Sequence, residues 1–148
     1  MLDALEATAF AQTLRTSFYL YPLVNAAHIL SLGALITTAL LMDARIFGFA
    51  RHLPAPVVIA TLRPVALTAL VLAVATGFLL FSVRPLEYAA NPAFRIKLVL
   101  LLLAVLNAGL VTALGDDPER PLIRVLAASS ILLWLSVLVA GRFIGFFI

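Results

Sequence analysis

The sequence contains no cysteine, which excludes a disulfide framework, a thiolate metal site and thiol redox chemistry. Charge is scarce as well. Only 11% of the 148 residues are Asp, Glu, Lys or Arg, against 64% hydrophobic residues, whereas a soluble domain is roughly a quarter charged and half apolar. With a mean hydropathy of +1.17, this composition describes an integral membrane protein. Histidine and methionine occur twice each, as His28 and His52 and as Met1 and Met42, and lysine and tryptophan once each, as Lys97 and Trp134. The pI near 10.0 and net charge of +3 invite a nucleic-acid reading. Nine arginines and one lysine spread over short loops are better explained as headgroup contacts and topology signals, so no nucleic-acid partner is expected.

What is present is long apolar runs. About 20 helical residues cross a hydrocarbon core of about 30 Å, and four segments suffice: about 18–42, 64–83, 94–114 and 121–141. Between them lie "DARIFGFARHLPAP", "RPLEYAANP" and "GDDPERP", rich in Pro, Gly, Asn and charge, the residues of turns. The expected fold is all-α: a four-helix transmembrane bundle, up-down-up-down, as one membrane domain over 1–148. Ahead of the first span, Leu2, Leu5, Ala9 and Phe10 recur at helical spacing among polar residues and predict a short interfacial helix. Orientation stays open, because five basic residues fall on each side: Arg45, Arg51, Arg63, Arg120 and Arg124 against Arg15, Arg84, Arg95, Lys97 and Arg142. Small residues at Ala66, Ala69, Ala73 and Gly77, at Gly33 and Thr37, and at Ala104 and Ala108 are seams along which helices approach closely.

His28 stands about ten residues inside the first span, near the bilayer midplane by helical rise. Tyr21, Asn25 and His28 fall at i, i+4 and i+7 and share a face, which should point into the bundle because polar groups are costly against lipid. Either His28 is a core histidine, satisfied by Asn25, a serine or a backbone carbonyl, or it is a metal ligand, since neutral imidazole can be buried without a charge cost. A closed zinc site lacks mid-membrane Cys or carboxylate, and a copper relay lacks Met, His and Cys. Haem needs one or two protein ligands, and its apolar macrocycle suits a four-helix interior; haem b is the cofactor that fits so few donors.

Lys97 lies a few residues inside the third span, entering from the same side as the first. It either snorkels to the headgroups, ligates iron as a second axial donor, or pairs with haem propionates together with Arg84 or Arg95. Helical rise places it about 7 Å shallower than His28, which favours the propionate role. Trp134 is a core aromatic or the wall of a cofactor pocket. Asn107 is expected to hydrogen-bond between helices. Asp43, Arg45 and Arg63, at the opposite boundary, are expected to form an ion pair that fixes helix ends, in preference to a catalytic role.

The runs "HILSLGALITTALLMDARIFG", "RPVALTALVLAVATGFLLF" and "NPAFRIKLVLLLLAVLNA" resemble a bacterial family of uncharacterised small four-helix membrane proteins. In outline they are similar to the copper-resistance D membrane family and to the four-helix membrane protoporphyrinogen oxidase. The shared elements are His28 in the first span, Thr76-Gly77 late in the second and Lys97 early in the third, over about residues 18 to 112. The resemblance implies a b-type haem held by His28 and Lys97 in a bacterial inner membrane. The additional histidines that two-histidine b-type cytochromes place on other spans are not in this sequence.

The expected function is therefore a haem-b-binding membrane protein active in electron transfer or as accessory to a redox enzyme. The alternatives are a cofactor-free structural subunit of a larger membrane complex and a small-molecule or copper permease. Partners expected besides lipid are such a complex or further copies of the chain.

Overall fold

A computed structural model describes residues 6–146, without the side chain of Phe10. The elements in chain order are α1 (Ala9–Thr16), α2 (Leu20–Ile46), α3 (Ala55–Val83), α4 (Pro85–Ala90), α5 (Pro92–Leu114) and α6 (Pro121–Phe143), with a 3₁₀ turn over Ile144–Phe146. The helices α2, α3, α5 and α6 are long and apolar enough to cross a bilayer, so the chain is an integral membrane protein built as a four-helix bundle. Large exposed side chains such as Leu30, Val71, Leu106 and Leu132 stud the outer faces. That distribution suits lipid as the solvent and leaves the backbone polar groups satisfied within each helix.

The turns fold where local chemistry dictates. Asn91 accepts from the Ala93 and Phe94 amides at 3.0 and 3.2 Å and caps α5 ahead of Pro92, which has no amide to satisfy. Its Nδ2 donates to the Ile144 carbonyl at 3.1 Å, tying the start of α5 to the end of α6. At the opposite boundary Gly115 leaves α5 with φ +87°, a conformation glycine adopts without steric cost, and Arg120 Nη1 caps the Leu114 carbonyl at 2.6 Å. The α2–α3 connection is clamped by Arg45, whose Nε and Nη2 donate to the Leu53 carbonyl at 3.1 and 2.8 Å.

Two boundaries differ from expectation. Helix α3 begins at Ala55, not at Pro64, and carries Pro64 inside. A proline nine residues into a helix deletes one backbone hydrogen bond, a cost the two preceding turns survive. Helix α2 runs on to Ile46, one turn past the expected end. The N-terminal helix is present as α1, capped by Thr8, which accepts from the Ala11 amide. Ala11 and Leu14 are buried where α1 packs on α3 and α2. Leu2 and Leu5 lie outside the described residues.

In cross-section, α2 packs along α3, α5 along α6, and α2 joins the pairs by packing on α6. Ala66, Ala69 and Ala73 of α3 and Ala104 of α5 are buried in these seams, as small residues should be where backbones approach closely. Among the described residues α3 and α5 make no close backbone approach. Bridges form near their ends. Phe81 stacks on Phe94 with centroids 5.5 Å apart and planes 9° from parallel, and at the other boundary Arg63 Nη2 reaches both carboxylate oxygens of Asp116 at 2.7 Å.

Candidate functional site

His28 emerges from α2 about 12 Å along the axis from Leu20, at 1.5 Å per residue. Its Nδ1 lies 2.9 Å from Thr76 Oγ1 on α3. The Thr76 hydroxyl donates its one proton to the Leu72 carbonyl at 2.6 Å, so toward the ring it acts as acceptor. The imidazole therefore carries its proton on Nδ1 and donates it to Thr76 Oγ1. Nε2 keeps its lone pair, and no hydrogen bond engages it among the described residues. A ring nitrogen fixed in this way leaves the other free to ligate.

Gly77, next along α3, makes the approach possible. A Cβ there would lie 3.1 Å from His28 Cε1 and 3.6 Å from Nδ1. Gly77→Val should accordingly overpack the α2–α3 seam and cost about 1–3 kcal/mol, read as a lowered thermal midpoint in detergent. Gly109→Val is the control: a Cβ at Gly109 meets nothing within 4 Å, and its midpoint should stay near wild type.

Lys97 comes from α5 and lies within electrostatic reach of the ring. Its side chain runs against α6, where a Cβ on Gly141 would be 3.5 Å from Nζ. Gly141 is two residues from the end of α6, about 3 Å of rise, so the ammonium sits nearer that end of the bundle than the imidazole. No hydrogen bond or ion pair engages Nζ among the described residues. Each of the four spans thus places one element at this end: His28, Thr76-Gly77, Lys97 and Gly141.

An aromatic group closes the same end, with Tyr88 of α4 set 6.3 Å from Phe81 and 5.5 Å from Phe94 between ring centroids. Burial, and then the Tyr21 hydroxyl hydrogen-bonded to it, push the Tyr88 phenol up to about 12. It stays a neutral hydrogen-bonding group over the physiological range.

The other expected site residues are placed differently. Asn25 is exposed and makes no hydrogen bond to His28, whose polar partner is Thr76 on the neighbouring helix. Arg84 pairs with Glu87 at 3.2 Å, and Arg95 Nε donates to the Ala89 carbonyl at 2.7 Å. Both stand exposed at the Lys97 boundary. Trp134 is buried against Leu35, Ile36 and Ala69. Leu35 is seven residues beyond His28, so Trp134 lies about 10 Å further along the bundle and does not wall the histidine. Asn107 Nδ2 donates to the Leu126 carbonyl on α6 at 3.0 Å, the interhelical bond its position predicts.

At the far boundary the ion pair forms with different members. Arg63 takes Asp116, and Arg45 takes the Leu53 carbonyl. Asp43 is left with Oδ2 buried and without a hydrogen-bond partner.

His28 offers one imidazole lone pair, and Lys97 one cation nearer the end of the bundle. This donor set does not suit a metal held by protein alone, since no three His, Asp or Glu side chains converge among the described residues. Thr76, Gly77 and Gly141 complete the site. The dipeptide "TG" at 76–77 was their signal in the sequence, whereas Gly141 had none. Comparison with curated proteins finds no match, and comparison with solved structures finds none either. Residues 9–147 match DUF6644, described as a family of unknown function, and the chain belongs to that family.

Proposed function

We propose that the chain binds haem b through His28 Nε2 and serves electron transfer, or assists a redox enzyme, in a bacterial inner membrane. The observation that supports this best is the Nδ1–H bond from His28 to Thr76 at 2.9 Å, which holds the ring in one tautomer and leaves Nε2 free inside the membrane. The resemblance of His28 and Lys97 to the first-span histidine and third-span lysine of the haem-pathway oxidase points the same way. Bound there, the haem supplies one-electron chemistry at a potential tuned by its ligand and surroundings.

The chain's own residues do the rest. Thr76 orients the imidazole, and Gly77 lets the ring lie against α3. The apolar spans keep water from Nε2. Lys97, shallow and without a counter-ion among the described residues, supports propionate pairing over axial ligation. Titrating haem b into the purified protein tests this division of labour. Lys97→Arg should bind haem nearly as well as wild type, because a guanidinium keeps the charge but has no lone pair for iron. Lys97→Met should bind it more weakly, by about tenfold for one charge-assisted hydrogen bond. A wild-type low-spin spectrum that turns high-spin in Lys97→Arg would assign Lys97 to the iron instead. Failure of the wild-type chain to take up haem would leave a cofactor-free structural subunit, in which His28 and Thr76 form a helix-to-helix hydrogen bond and nothing more.

A further inference from the structure

The cleft between α3 and α5 holds a cavity of about 370 Å³, within the range of small-molecule sites. Leu35, Leu70, Val105 and Trp134 line its length, an apolar wall continuous with the lipid-facing gap between the two helices. Its boundary end is polar and unevenly satisfied. The Arg63 guanidinium is engaged by both oxygens of Asp116, and Arg45 is engaged by the Leu53 carbonyl. Asp43 borders the same cavity. The Ser130 hydroxyl faces its carboxyl, yet Oδ2 is buried with no donor. A buried carboxylate without a cation or a full set of donors is costly, and no described residue supplies the missing partner.

We propose that this cavity binds a lipid-soluble primary or secondary amine, its apolar body along the Leu35–Trp134 wall and its ammonium at the Asp43 carboxyl. An ammonium N–H supplies both the charge and the donor that Asp43 lacks. The carboxyl turns readily about its last torsion, which has only shallow preferences, so either oxygen can meet the ligand. An alcohol would bring a donor without charge, and a quaternary ammonium a charge without a donor. Neither compensates Asp43 in full. The site includes neither His28 nor Lys97 and stands independently of haem binding.

Trp134 is the only tryptophan in the chain and lines the cavity, so its fluorescence reports occupancy. Octylamine, protonated at neutral pH, is titrated into the purified protein in lipid vesicles beside 1-octanol and octyltrimethylammonium. The expected result is a saturable change in Trp134 emission with octylamine, with both comparators at least about tenfold weaker. Asp43→Asn, nearly isosteric, should weaken octylamine binding at least about tenfold. Leu70→Phe should reduce it by filling the cavity while leaving the carboxyl in place, and carries the test should Asp43→Asn fail to fold. Equal binding of octanol or of the quaternary ion would overturn the proposal. So would a response that rises without saturating, or one unaffected by either substitution.

Discussion

His28→Ala should leave the purified protein without bound haem, while His52→Ala should keep it at the wild-type level. His28 Nε2 is the imidazole lone pair to which the proposal assigns the iron, so its removal would take away the one strong protein bond the haem would have. His52 is exposed in the α2–α3 connection, at the boundary opposite Lys97, and has no such bond to lose. The comparison is internally controlled, because each variant removes one imidazole from a chain that has two. Haem content is read from the Soret absorbance per protein after purification. If His28→Ala retains a normal spectrum, the ligand is elsewhere and the histidine is a packing residue. Restoration of the spectrum by free imidazole would tie the loss to the missing lone pair rather than to misfolding.

Thr76→Val should weaken haem binding by about 10–100-fold, the usual cost of removing the partner that orients a ligating histidine. Valine keeps the branched shape against α2 and removes the oxygen that His28 Nδ1–H donates to. The amide-like proton of the ring is then left without its best acceptor, and the imidazole is free to turn or to change tautomer. Thr76→Ser, which preserves the oxygen, should bind haem close to wild type. Equal affinities for the valine and serine variants would mean that the 2.9 Å contact joins α2 to α3 and does not prepare a ligand. Thermal midpoints measured without haem separate the two cases. A purely structural bond changes the midpoint alone.

The four spans were legible because each is an apolar run long enough for a bilayer and each break concentrates Pro, Gly, Asn and charge. The start of α3 was not, since Pro64 resembles a helix boundary locally and only the completed helix shows that the preceding two turns tolerate it. The inward aspect of His28 could be read from the cost of exposing it to lipid. Its partner could not. Asn25 was suggested by helical spacing along α2, whereas Thr76 is 48 residues away and meets the ring only through the register of α2 on α3, set by the small residues of the seam. The same limitation applies at the other end. Charge alone paired Asp43 with Arg63 or Arg45, but Asp116, arriving from the turn after α5, takes the Arg63 guanidinium and leaves Asp43 facing the cleft.

The dithionite-reduced minus oxidised visible spectrum of the wild-type protein, purified from cells supplied with haem precursor, bears most directly on the assignment of His28. Binding through its Nε2 predicts a Soret band that shifts on dithionite reduction, at about one haem per chain. A featureless visible spectrum in the folded protein, unchanged by added haem b, would contradict it.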